Sequence, residues 1–182
     1  MKKLIYILIL MPFLVLAQKL KIGDEVYGGV VFHLDKTKKH GLVVSTENVG
    51  DRDKYVWGCY GHWIEGAGGI KIGTGRTNTI AISNSCKNVL HAAQACLDYN
   101  KDGFTDWYLP SLEELEKIAD YLGEDSKFSE VVNFDNCYYI SSSQLKNKKY
   151  KANYVWSVNV YENYLLSSFK STKHKIRAIR AF

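Results

Sequence analysis

Proline is scarce in this sequence, 2 in 182 residues, and its 14 glycines follow no period. That excludes collagen-like and proline-rich fibrous chains. No apolar run reaches the roughly 20 residues a membrane-spanning helix needs; the run Leu4–Ala17 has 14. The cysteines lack C-x₂₋₄-C spacing and nearby histidine pairs, which argues against a zinc site. No G-x-S-x-G, H-E-x-x-H or P-loop is present, and His33, His40, His62, His91 and His174 are scattered. Glu113, Glu114 and Glu116 read as the ordinary surface of one helix. No catalytic motif therefore points to an enzyme. Aromatic residues, at 13%, supply enough apolar mass to offset the entropy of ordering a chain.

What is present begins with a leader. Lys2 and Lys3 precede the uncharged run, which closes on Val15-Leu16-Ala17. That is the pattern of a secretory signal peptide, with cleavage expected between Ala17 and Gln18. The expected organisation is a signal peptide over 1–17 and a single domain over 18–182. The product is expected in the periplasm, on the cell surface or outside the cell, with no transmembrane segment in the mature chain. Its four cysteines, Cys59, Cys86, Cys96 and Cys137, form an even set in an exported chain. Two disulfides are expected, with three possible connectivities; the reading adopted is Cys86–Cys96 and Cys59–Cys137.

Glu25–Leu34 and the Gly41-Leu42-Val43-Val44 run are β-branched segments joined by a charged connection, a hairpin pattern. Residues 48–75 are rich in glycine and aromatics and read as a long loop. A helical region is expected over Thr79–Tyr99, with Ser83 or Ser85 capping a second segment. The clearest helix is Ser111–Leu122, where Ser111 and Glu114 form a capping box and Gly123 stops the run. Strands are expected near 137–141, 154–160, 165–169 and 175–182. Strands, loops, two helices and strands again make an α+β chain, with two helices packed on antiparallel strands and long irregular loops.

Two segments carry chemistry. Asp98, Asn100, Asp102 and Asp106 place oxygens at positions 1, 3, 5 and 9 around Gly103, as in a calcium loop, but position 12 is Leu109. The alternative is a polar turn that satisfies its own backbone. No other cofactor is indicated. The second segment spans 146–180 and carries nine cations against one acid, Glu162. Tyrosines and Trp156 interleave with it. Such segregation makes a positive face that attracts polyanions. Lys148, Lys149, Lys151, Tyr154, Trp156, Lys173, Arg177 and Arg180 are the candidate ligand contacts. The alternative is a solvated face. For an exported chain the partner is acidic polysaccharide or a cell-surface protein rather than nucleic acid.

Ile22-Gly23-Asp24, Tyr27-Gly28-Gly29-Val30-Val31-Phe32, Trp57-Gly58-Cys59-Tyr60-Gly61, Asp106-Trp107-Tyr108-Leu109-Pro110-Ser111 and the closing Arg177-Ala178-Ile179-Arg180-Ala181-Phe182 together carry a resemblance. The chain is similar to the Lcl C-terminal domain family over nearly the whole mature sequence. Ile140 departs from the pattern, standing where that family usually has Trp. The resemblance implies a C-type-lectin-like fold related to the formylglycine-generating enzymes. It also implies exported bacterial proteins, some of them adhesins that bind sulfated polysaccharide. The formylglycine chemistry needs a reactive cysteine pair near the C-terminus, and the last cysteine here is Cys137. The expectation is thus a secreted binding module without catalytic activity. The alternatives are an enzyme acting on a cell-envelope component and a structural part of the cell surface. Trp107, just before a capped helix, is expected in the core.

Overall fold

The protein is described here by a computed structural model over residues 19–50, 54–87, 89–124, 130–146 and 152–182, the side chains of 122–124 excepted. The expected leader lies outside these residues. The element order is β1 (Glu25–Val26), β2 (Gly29–Leu34), β3 (Gly41–Val44), α1 (Gly75–Ser85), α2 (Ala92–Leu97), α3 (Leu112–Glu124), β4 (Tyr138–Gln144), β5 (Tyr154–Asn159), β6 (Tyr164–Phe169) and β7 (Ile179–Ala181). The class is α+β; among the described residues three helices are delimited, where two were expected, and residues 130–132 are helical as well. No helix among the described residues is long and apolar enough to cross a membrane.

Two antiparallel sheets form, ordered β1-β2-β3-β7 and β4-β5-β6. In the first, the central strands β2 and β3 have residues of both faces buried, which is why they read as near-continuous apolar runs. Val31 and Val43 face one core cluster, with Trp57, Ile82, Trp107, Leu109, Ile140 and Val155. Val30, Phe32, Leu42 and Val44 face the other, with Leu112, Leu115 and Ile118 of α3 and with Tyr139 and Val158. Trp107 is fully buried, as its place before the helix predicts. The C-terminal segment stitches the sheets together. Lys175 bridges to Tyr139 of the second sheet, and Ile179 bridges to Tyr108 while pairing with Val44 of the first.

α3 begins as the capping pattern predicts, but with partners from elsewhere. The Ser111 N–H donates to Glu114 Oε2 at 2.7 Å. The Ser111 hydroxyl instead donates to the Lys71 carbonyl, and Ser143 of β4 accepts from the Leu112 N–H at 3.0 Å. Glu114 is therefore fully buried, not on the helix surface.

The region 79–99 is two helices, not one. α2 is capped by His91, whose ring Nδ1 accepts from the Gln94 N–H at 3.1 Å, in place of Ser83 or Ser85. The break between the helices decides the disulfide. Cys86 ends α1 beside Gly58, and it bonds Cys59 across a Cα separation of 5.4 Å. The expected pairs Cys86–Cys96 and Cys59–Cys137 do not form. α2 turns Cys96 inward, into the core around Trp57, where burial pushes its thiol up. Cys96 and Cys137 are both thiols.

Candidate functional site

The basic segment does not form one outward face. Arg177 is fully buried: its guanidinium donates to the carbonyls of Ser45 (3.0 Å), Val132 (2.9 Å) and Asn133 (3.0 Å). It also lies 4.0 Å over the Phe134 ring. Lys170 is buried too, with Nζ donating to the His62 carbonyl (2.6 Å) and to Gln144 Oε1 (3.0 Å), 4.3 Å over Trp57. Burial brings its pKa down to about 8. Lys175 pairs with Asp135 at 3.2 Å.

Arg180 forks onto Asp106, Nε to Oδ1 at 2.6 Å and a terminal nitrogen to Oδ2 at 3.0 Å. Arg177 and Arg180, expected to face a ligand, are thus internal struts. The reason is physical: buried backbone carbonyls and a half-buried carboxylate needed donors, and arginine's forked donors meet that need. Lys146 and Lys173 are exposed, and Lys148, Lys149 and Lys151 lie outside the described residues. Tyr154 and Trp156 are half-buried. Tyr154 packs on Phe169 at 4.5 Å, and Trp156 packs against the α3-side core.

The expected calcium oxygens diverge as well. Asp98 accepts from Gln94 Nε2 at 2.8 Å beside α2. Asn100 and Asp102 are exposed. Asp106 is turned to Arg180, which holds its carboxyl below the usual carboxylate range. Among the described residues no group of three His, Cys, Asp or Glu is placed to hold a metal. The segment is a tight turn closed by reciprocal backbone bonds between Lys101 and Phe104 (3.2 and 2.9 Å). Asp102 (φ 52°) and Gly103 (φ 82°) supply the left-handed pair that such a turn requires.

This turn forms one wall of a cleft of about 480 Å³. The opposite wall is the β1–β2 turn, and Glu25, Tyr27, Thr46, Lys101 and Asp102 line the space. The walls meet at Gly28, where a Cβ would lie 2.9 Å from the Phe104 ring and 3.1 Å from the Lys101 carbonyl. Tyr27 is a non-glycine residue at φ 56°, so both walls carry a side chain in the disfavoured left-handed region. The strain at Tyr27 is held from below. Its ring stacks on Phe182 at 4.6 Å, and its carbonyl accepts from Arg180 at 3.2 Å. Arg180 therefore braces both walls, through Asp106 on one side and Tyr27 on the other.

Beside the cleft, Glu47 accepts from the Tyr99 hydroxyl (2.8 Å) and pairs with Lys101 (3.6 Å). Burial and that carboxylate push the Tyr99 hydroxyl up. The cleft itself offers an exposed ring, the Glu25 and Asp102 carboxylates, the Lys101 ammonium and the Thr46 hydroxyl, groups able to exchange hydrogen bonds with a hydroxyl-rich molecule. Of its lining, sequence reasoning named Asp102 as a site residue. Glu25, Tyr27, Thr46 and Lys101 were missed, and the signal within reach was Tyr27 next to two glycines. A second hollow of about 300 Å³ opens between Trp63, Thr74 and Thr77 over the glycine-rich segment.

The model of the Lcl C-terminal domain family matches residues 37–180, and the chain belongs to that family. The matched span contains Asp102, Asp106 and Arg180; Tyr27 precedes it. No curated protein matches the chain.

Proposed function

We propose that this member of the Lcl C-terminal domain family is an exported, non-catalytic surface module that binds polysaccharide, with the Tyr27–Asp102 cleft as its seat. The observation that carries the reading is the cleft itself. It pairs an exposed aromatic ring with hydroxyl-bonding side chains, on walls that a buried arginine pre-organises. Pre-organised walls lower the ordering cost of binding. The C-type-lectin-like assignment belongs to the same proposal; it is supported by first and last strands that share one sheet, with long irregular segments between them.

Two carboxylates against one lysine favour a neutral, hydroxyl-rich stretch of polymer in the cleft. The second reading is an acidic or sulfated polysaccharide held outside it, and the exposure of Lys146 and Lys173 supports that one. Affinity electrophoresis through gels of neutral and of sulfated polysaccharide, at low and high salt, separates the two. Cleft binding predicts retardation on neutral polymer that persists in high salt and is lost in Asp102→Gly. Glycine keeps the turn, because it accepts positive φ without cost. Retardation on sulfated polymer alone, abolished by salt, supports the lysine reading, since exposed charges are screened beyond about 8–10 Å. No retardation in any gel overturns both.

A further inference from the structure

Among the described residues, the second sheet has one covered edge and one edge on which no further strand pairs. Along β4 the outer N–H groups are taken: Ile140 donates to the Lys175 carbonyl (3.1 Å), Ser142 to Pro110 (2.7 Å) and Gln144 to Ala67 (3.0 Å). Along β6, among the described residues, only β5 is paired. Its register runs without a break from Tyr154 opposite Phe169 to Asn159 opposite Tyr164. The six residues Tyr-Leu-Leu-Ser-Ser-Phe contain no charge, no proline and no glycine. Tyr164, Leu166, Ser167 and Phe169 are exposed. Edge strands of soluble proteins are ordinarily blunted by a charge, a proline, a bulge or a covering segment. β6 carries none of the first three.

We infer that β6 is an association edge, and that its partner is β6 of a second copy of this chain, paired antiparallel about a two-fold axis at Ser167. Two observations select that occupant. The first is charge. Glu162 lies just before the strand and Lys173 just after it, both exposed. Antiparallel pairing of two copies brings the acidic end of each to the basic end of the other; parallel pairing sets like against like. The second is register. A two-fold axis perpendicular to the sheet continues each face, so opposed residues must lie on the same face. Centred at Ser167, the pairing sets Leu165 against Phe169 twice, apolar on apolar. Centred at Leu166, it would set Leu165 against Ser167 and Tyr164 against Ser168. The interface is isologous, and two three-stranded sheets become one of six strands. The cleft lies on the other sheet, so this inference stands apart from the cleft reading.

Sedimentation velocity of the mature chain across a concentration series is expected to show a monomer–dimer equilibrium. Leu166→Lys puts two ammonium groups at the shared edge and is expected to weaken the dimer about tenfold or more, with an unchanged thermal melt at concentrations where both chains are monomeric. Ser167→Cys places two thiols across the axis, where opposed Cα atoms of antiparallel strands lie about 4.5–5.5 Å apart, within disulfide reach. Air oxidation should then yield a covalent dimer well above the wild-type level, which sets the background from Cys137. A wild-type chain that stays monomeric throughout, with Ser167→Cys giving no excess cross-link, overturns the inference. So does a dimer that Leu166→Lys leaves intact.

Discussion

Two irregular segments of this chain are fastened in opposite ways. The glycine-rich stretch before α1 is held from beneath. Cys59 is bonded to Cys86. Lys170 holds the His62 carbonyl, Gln144 brackets both backbone groups of Ile64, Asn78 brackets Gly69, and Glu114 accepts from the Gly73 N–H at 2.8 Å. The 98–106 segment is held at its rim, by the Arg180–Asp106 fork and by the Trp107 indole on the Phe104 carbonyl. Irregular backbone has no ladder, so the inward N–H and C=O groups that turns leave unpaired need side-chain partners. Depth decides the kind. The deep stretch uses a covalent bond and desolvated groups, whereas the rim uses a charge pair that water still reaches. The first fastening should respond to reduction and truncation, the second to acid.

The largest effect is expected from the disulfide. Its 27-residue separation makes Cys59→Ser/Cys86→Ser cost about 3–4 kcal/mol in the chain-entropy account, read by urea unfolding. Glu114→Ala comes next. It strips the acceptor from the Gly73 and Ser111 N–H groups in a buried site, and each orphaned donor costs about 1–3 kcal/mol. A loss of about 2–4 kcal/mol in the same assay is expected, with the cleft still able to bind. If either variant abolishes binding while the fold is retained, the two segments are not independent and the comparison fails.

Glu114 shows where the sequence was legible and where it was not. The Ser111–Glu114 spacing predicted the helix and one of its bonds, because a capping box is local. Its burial was not legible, since the covering residues Gly73 and Gly75 lie about forty positions earlier. The same division runs through the chain. The β2–β3 hairpin and the strands β4, β5 and β6 follow from local pattern. The disulfide did not, because helix α2 aims Cys96 inward and leaves Cys86 to a loop 27 residues away. Charge was countable in the sequence, but its direction was not. A strand is expected over 175–182, yet only Ile179–Ala181 pairs as one, and Arg177 turns inward to three carbonyls. The cleft joins turns some seventy-five residues apart, so no window of sequence contains it.

Lys170 tests the deep fastening by pH. Its pKa is about 8 in the fold, from burial, against an ordinary value near 10.5. Between those values the unfolded chain holds the proton and the folded chain does not, so this group makes stability rise with pH across that window. Lys170→Met is expected to cost about 1–2 kcal/mol at neutral pH, from the two acceptors it leaves. It should also flatten that rise. Parallel profiles for wild type and variant between pH 8 and 10.5 would mean that Lys170 keeps its proton inside the protein.

The rim fastening should give the smallest effect, and its pH window lies in acid rather than in base. Arg180 holds the Asp106 carboxyl below its ordinary value, so the pair stabilises the fold above the unfolded pKa near 3.8 and loses that contribution as pH falls through the folded one. Because the Asp106 side chain is 38% exposed, water screens the pair, and Asp106→Asn is expected to cost about 1 kcal/mol at neutral pH. Once the pH has fallen through that folded value, the variant and the wild type should unfold at the same denaturant concentration. The same substitution also loosens Arg180 from the brace that holds the Tyr27 carbonyl. Polysaccharide retardation should therefore weaken in Asp106→Asn at neutral pH by more than its small stability loss would suggest. If retardation is unchanged while the unfolding midpoint shifts, Arg180 fastens the turn without shaping the cleft, and the rim is only a tether.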